Sequence, residues 1–242
     1  MPYTIFNDCI MRKRKYSHTS NEKYKEDNLT EIIEEWNSKR NKTQVVSDVP
    51  KAEIHNLVGT TQIICNCIPL SLMRISKMIP NNTYDRQKFA AITVRLNSPF
   101  CTILLFTSGK MVLTGCRTFI ECMLASHYVL QFLRTGMVGV KFGLSEVKIQ
   151  NIVGNVDLNL QSDQKMLLRD MMDTYSVFCT YQKNTFPGLI FRPNNSPVVL
   201  LVFESGKIVI TGGRSYHDVT NGWKQLWPIV QKFIGRPGNV KV

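Results

Sequence analysis

Six cations stand in matched pairs along this chain: Arg95 with Arg192, Lys110 with Lys207, and Arg117 with Arg214, each pair 97 positions apart. Guanidinium and ammonium groups repeated at one interval offer fixed positive charge and no nucleophile or proton that titrates near neutrality, so they suit the binding of a polyanion. The groups that make and break bonds are not so arranged. His18, His55, His127 and His217 lack the spacing of metal ligands or of partners to a nucleophile. Cys9, Cys65, Cys67, Cys101, Cys116, Cys122 and Cys179 are an odd set with no CxxC and no neighbouring histidine pair. Buried free thiols are expected of them rather than a zinc site or a disulfide framework. The expectation is a chain with no enzymatic activity, no metal and no cofactor.

The elements that position the cations repeat with them. Residues 104–117 read LLFTSGKMVLTGCR and residues 201–214 read LVFESGKIVITGGR, identical at nine of fourteen positions. Each copy is an apolar run, Ser-Gly, and a second apolar run ending in Thr-Gly, the pattern of two antiparallel strands joined by a tight turn. Phe89 and Phe186 keep the same spacing of 97, and residues 55–59 (HNLVG) match residues 150–154 (QNIVG) at 95. A period of roughly ninety to one hundred residues is domain-sized, which predicts two pseudo-symmetric halves rather than a solenoid. The expected divisions are an extension over residues 1–50, a first repeat with linker over 51–143, and a second repeat over 144–242. Within each repeat the order is a strand, a short helix (68–78 and 163–175), further strands (89–96 and 188–192), the hairpin, and a longer helix (118–134 and 215–234). Residues 136–143 link the halves.

Charge separates the extension from the repeats. The net charge is +12. Residues 1–50 nearly balance nine Lys or Arg against eight Asp or Glu, whereas residues 51–242 hold 21 against 10. A folded region that basic favours polyanions, of which nucleic acid is the usual one. The extension combines low hydrophobicity with dense mixed charge, which predicts disorder apart from a short helix opened by a capping box at Asn28 and Glu31 and running through Trp36. Its basic cluster at residues 12–15 could serve nuclear import. No run of about eighteen apolar residues exists, and the first residues lack a signal-peptide core, so a soluble intracellular protein without a membrane is expected.

Alternation along the strands assigns their faces. Leu104, Phe106, Val112 and Thr114 share one face of the first hairpin, as Leu201, Phe203, Val209 and Thr211 do in the second. The opposite face carries Ile103, Leu105, Met111 and Leu113, then Leu200, Val202, Ile208 and Ile210. Both faces are apolar, and a sheet with helices on one side should be polar on the other. Two readings stay open: a sandwiched sheet or dimer seam, or an apolar face for a shallow partner such as a DNA minor groove, rimmed by the six cations.

These residues resemble the TATA-binding protein family over residues 52–235. The resemblance rests on KFAAI (88–92), SGKMVLTG (108–115), IQNIVG (149–154), FPGLI (186–190) and SGKIVITG (205–212). It implies an α+β saddle in which two pseudo-symmetric repeats build one curved antiparallel sheet. The concave face binds DNA and helices cover the convex face. The family is itself the reference case for kinking DNA by side chains wedged in the minor groove, and that mechanism comes with the resemblance. It implies that Phe89, Phe106, Phe186 and Phe203 intercalate. Asn56, Asn151, Val58, Val153, Val112, Thr114, Val209, Thr211, Leu104 and Leu201 would line the groove floor. Arg95, Lys110, Arg117, Arg192, Lys207 and Arg214 would meet phosphates. The implied partners are double-stranded A·T-rich promoter DNA and a B-type initiation factor, with no small-molecule substrate. The location is the nucleus, or a viral factory or virion if the source is a large DNA virus. A related regulator or architectural module with altered initiation-factor partners is the alternative.

Four segments depart from the family pattern. Phe100-Cys101 replaces an Arg-Thr pair and Asn195-Ser-Pro197 replaces Lys-Pro-Arg, which predicts weaker phosphate clamping there. The loop at 182–185 reads QKNT where the family has acidic residues that the B-type factor recognises. The helix at 118–134 is largely apolar or neutral, with Phe119, Ile120, Met123, Tyr128 and Phe132, where the family is basic. Two or more of those side chains exposed would mark a partner surface.

Overall fold

The structure, a computed structural model, describes residues 49–235. The basic cluster at 12–15 and the helix expected through Trp36 lie outside the described residues, as does Cys9. In chain order the strands are β1 (Glu53–Ile64), β2 (Asn82–Thr83), β3 (Ala91–Asn97), β4 (Phe100–Phe106), β5 (Lys110–Cys116), β6 (Gly143–Leu144), β7 (Lys148–Asp157), β8 (Lys165–Met166), β9 (Cys179–Thr180), β10 (Leu189–Phe191), β11 (Val199–Val202), β12 (Lys207–Gly213) and β13 (Ile234–Gly235). The helices are α1 (Leu72–Ser76), α2 (Phe119–Gly136), α3 (Leu168–Thr174) and α4 (Tyr216–Val230).

One antiparallel sheet runs through both halves in the order β2-β3-β4-β5-β1-β7-β12-β11-β10-β9. The halves meet at β1 and β7, where Leu57 stands opposite Ile152. β6 pairs with the end of β1, and β8 with β13 forms a separate two-stranded ribbon. Each hairpin closes through a glycine at positive φ, Gly109 (80°) and Gly206 (82°), whose N–H donates to Phe106 O and Phe203 O at 2.9 Å. That is a turn followed by a left-handed glycine, a conformation costly for any residue with a Cβ.

The alternation read from sequence separates the two faces. Ile103, Leu105, Met111, Leu113, Leu200, Val202, Ile208 and Ile210 are completely buried. α2 packs over β4, β5 and β1, and α4 over β12, β11 and β7. Burying each such side chain is worth about 1.5–3 kcal/mol, so this face holds the fold together. On the opposite face the apolar residues and threonines of the two hairpins, from Leu104 and Phe106 to Val209 and Thr211, are half-buried. Among the described residues the sandwiched-sheet reading therefore does not hold: their helices cover one face only.

Several expected boundaries move. The short helices contract to Leu72–Ser76 and Leu168–Thr174, because Pro69 precedes the first and a β8 bridge precedes the second. Phe89 and Gly188 lie outside the strands, which begin at Ala91 and Leu189. The linker is shorter than residues 136–143, because α2 continues through Gly136. Met123 is a core residue, and Phe119, Ile120, Tyr128 and Phe132 are half-buried, so none of the five is a fully exposed apolar side chain. Cys101, Cys116, Cys122 and Cys179 are buried free thiols, as expected, while Cys65 and Cys67 are half-buried with Sγ atoms 3.0 Å apart.

Both long helices start in the same way. Thr118 with Glu121, and Ser215 with Asp218, form reciprocal capping boxes. The carboxylates also accept from the N–H groups of Arg117 (2.6 Å) and Arg214 (2.8 Å), which ties each cation-bearing strand end to its helix. The Arg214 N–H, and then the Ser215 hydroxyl and N–H, hold the Asp218 carboxyl below its ordinary range. A carboxyl depressed on folding stabilises above its unfolded pKa, and that contribution is lost as pH falls through the folded value. Ser215→Ala is expected to cost about 1 kcal/mol in urea unfolding at neutral pH. That cost should shrink below about pH 4, as protonated Asp218 ceases to hold its side of the box.

Candidate nucleic-acid interface

The centre of the uncovered face is set by the antiparallel register of β1 and β7. Asn56 lies opposite Val153, and Val58 lies opposite Asn151. Each half therefore places its asparagine against the other half's valine, giving two amides and two valines in one central patch.

The amides are oriented by an irregularity that sequence patterning did not reveal. Between Leu57 and Gly59 on β1, the partner strand advances from Cys116 to Leu113, so one residue, Val58, faces two, Thr114 and Gly115. The same bulge separates Ile152 and Gly154 from Gly213 and Ile210. Gly115 and Gly212 sit in these bulges at φ 95° and 93°. A bulge re-aims the groups of its strand. Here each bulge points a glycine N–H across the face: Gly115 N–H donates to Asn56 Oδ1 at 2.8 Å, and Gly212 N–H to Asn151 Oδ1 at 2.9 Å. A backbone N–H can only donate, so the carbonyl oxygen must face it and the amide nitrogen is turned away from that glycine. Thr114 Oγ1 lies 3.4 Å from Asn56 Oδ1, and Asn151 Nδ2 donates to Thr211 Oγ1 at 3.3 Å. The Thr-Gly of the repeated motif is thus a support for the asparagine. The sequence signal was the recurrence of Thr-Gly at both strand ends, but its role needed the register.

The structure brings the ten proposed floor residues onto this face, all half-buried: Asn56, Val58, Leu104, Val112, Thr114, Asn151, Val153, Leu201, Val209 and Thr211. Leu104 pairs with Val112 and Leu201 with Val209, extending the apolar surface outward from the centre. At its two ends stand aromatic pairs. The rings of Phe89 and Phe106 are 6.2 Å apart at 67°, and those of Phe186 and Phe203 are 5.9 Å apart at 64°. Phe89 and Phe186 leave matching single turns, their N–H groups donating to Asp85 O and Gln182 O at 2.9 Å. A methyl group on Gly188 would come within 2.8 Å of the Phe186 ring, so that glycine makes room for the second pair.

Arg95, Lys110, Arg117, Arg192, Lys207 and Arg214 are all exposed. Lys110 and Lys207 open β5 and β12 on the strand face of Val112 and Val209, and Arg95 stands opposite Thr102 on the face of Leu104. Of the departures, only Phe100 of the Phe100-Cys101 pair lies on this face, since Cys101 is buried on the helical side. The 182–185 loop, with Arg169, Met172 and Tyr181, lines a cavity of about 470 Å³. Its cation is engaged: Lys183 Nζ donates to Glu204 Oε1 at 2.9 Å, which holds the Glu204 carboxyl below its ordinary range.

Comparison with known proteins agrees with this architecture. Residues 51–135 and 146–233 match the family described as Transcription factor TFIID (or TATA-binding protein, TBP). The chain is 35% identical over 178 residues to TATA-box-binding protein 2 of Entamoeba histolytica, covering 74% of this chain and 80% of that one. It is 32% identical over 180 residues to the TATA-box-binding protein of Saccharomyces cerevisiae, covering 74% and 71%. The solved structure of Methanococcus jannaschii TBP superposes with a TM-score of 0.64 at 29% identity, over 76% of this chain and 99% of that one. Two matched segments, one continuous sheet with helices on one face, and relatives aligned across both halves establish that this saddle-like α+β chain belongs to the TATA-binding protein family.

Proposed function

We propose that this protein is a minor-groove DNA-binding transcription initiation factor that selects A·T-rich, TATA-like promoter elements and acts in the nucleus. The observation that carries this reading is the central patch, where Gly115 and Gly212 hold two asparagine carbonyls and so turn the amide nitrogens away from the backbone, among half-buried valines. Outward donors match the acceptors that A·T and T·A pairs share in the minor groove, and small apolar neighbours disfavour the exocyclic amine of G·C. The groove code is degenerate, so this contact selects A·T-rich sequence without reading base order. The two phenylalanine pairs stand where wedges would enter at either end of the element, unstacking base steps and opening the groove, a mechanism for which the TATA-binding protein is itself the reference case. Arg95, Lys110, Arg117, Arg192, Lys207 and Arg214 neutralise phosphates along the rims.

Fluorescence-detected bending and affinity on an A·T-rich duplex, against the same duplex with its centre replaced by G·C pairs, test this reading. Bent, tight binding of the first and weak binding of the second is expected, and equal affinity for both would overturn it. If all six cations act, log K should fall with log salt at a slope of roughly −5, and Lys207→Ala should make that slope shallower by about 0.9.

A second reading, a regulator that keeps the DNA-binding sheet and has altered initiation partners, is favoured by one feature. The 182–185 loop carries no carboxylate, and Lys183 is already paired with Glu204. Gel shifts with a B-type factor separate the two: a binary DNA complex that never becomes ternary supports the regulator.

A further inference from the structure

Among the described residues, Phe100 is the one large apolar side chain of the DNA-facing sheet surface that is mostly exposed, at 72%. It opens β4 and shares the strand face of Thr102, Leu104 and Phe106, at the opposite end of that strand from the Phe106 wedge. The ring lies against the central bulge: a methyl group on Gly115 would touch it at 3.5 Å. The matching position of the second half is Pro197, also exposed and also against its bulge, with its carbonyl oxygen 2.8 Å from where a Gly212 methyl group would stand. Both rims beside the central asparagines are therefore apolar, between the flanking cations Arg95 and Arg117 on one side and Arg192 and Arg214 on the other.

An aromatic ring held outward on a strand gains nothing in the free protein, since most of its surface stays in water. A surface that receives a minor groove at its centre must meet the deoxyribose walls at its rim, and sugar C–H groups are apolar. We infer that Phe100 packs on a deoxyribose of the bound duplex, so that this rim grips the DNA by apolar contact, with Pro197 the smaller counterpart on the other strand. The inference rests on the minor-groove reading above. It changes what kind of force acts at this point: apolar burial depends little on salt, whereas a phosphate contact releases counterions.

The test is titration of wild type, Phe100→Ala and Phe100→Arg against one A·T-rich duplex across a salt series, with thermal unfolding of each protein alone. The exposed position predicts unchanged unfolding midpoints. Phe100→Ala should bind about fivefold more weakly at every salt concentration, from the loss of a partly buried ring, with the salt slope unchanged. Phe100→Arg should recover affinity at low salt and steepen the slope by about 0.9. Wild-type affinity in Phe100→Ala overturns the inference, as does an equal slope change in both variants, and as does a loss confined to capture of a protein partner. Phe203→Ala in the same series keeps the two readings apart. If it weakens binding while Phe100→Ala does not, the groove reading stands and the rim contact falls; if the wild type shows no A·T preference, both fall.

Discussion

Asn151→Asp is expected to weaken binding to an A·T-rich duplex by at least about 100-fold while leaving the unfolding midpoint nearly unchanged. The substitution is isosteric, and one carboxylate oxygen still accepts from Gly212 N–H, so the bulge and the register of β7 with β12 keep their support. The other oxygen takes the place of the outward amide nitrogen and meets adenine N3 and thymine O2, which are also acceptors. A donor–acceptor contact becomes a desolvated charge facing lone pairs, and an uncompensated charge in such a site costs about 3 kcal/mol or more. Asn151→Ala removes the donor without adding charge and should lose roughly tenfold, from one hydrogen bond and its orphaned neighbour. The contrast between the two variants in direct titration is the diagnostic. Equal small losses in both would mean that the asparagine holds the bulge and does not face the groove. Asn56→Asp should behave alike, since Gly115 holds its carbonyl in the same way.

Phe203→Ala is expected to lower affinity by roughly 5- to 150-fold, the range that ~1–3 kcal/mol of aromatic–base stacking allows. It should reduce the bend at one end of the duplex only. Its ring is a wall for Phe186 at 5.9 Å and lies close to Gly188. Removing it takes a wedge and the lateral support of its neighbour together. The half-buried setting limits the structural cost, because the completely buried residues of β11 and β12 point the other way. Fluorescence reporters at the two duplex ends should therefore separate: distortion lost on the side of Phe186, kept on the side of Phe89 and Phe106. Full bending and unchanged affinity would remove the wedge from the mechanism.

Much of this interface could be read before any coordinates, because a repeat compared with itself marks what both copies share. The 97-residue spacing paired the six rim cations and the four phenylalanines Phe89, Phe106, Phe186 and Phe203. Period-two alternation then put Leu104, Val112, Leu201 and Val209 on the face opposite Ile103 and Ile208, as burial bears out. Element ends were less legible. Phe89 reads as a strand residue by composition, yet it leaves a turn whose hydrogen bond to Asp85 O aims the ring toward Phe106. The helix after the first hairpin reads as richly apolar, but a helix of 18 residues against a curved sheet buries part of each flank, so Phe119, Ile120, Tyr128 and Phe132 end half-covered.

By itself the sequence determined the duplication, the basic balance of the repeats, the two apolar faces and the family they resemble, because each depends on residue type and local period. Only the tertiary structure decided which face is open, since that depends on where α2 and α4 dock. It also decided how the amides point, since Asn56 and Asn151 are set by glycine N–H groups about sixty residues away along the chain. Long-range backbone pairing and bulge register leave no local pattern to read, and at this site they orient the donors that would face the base pairs.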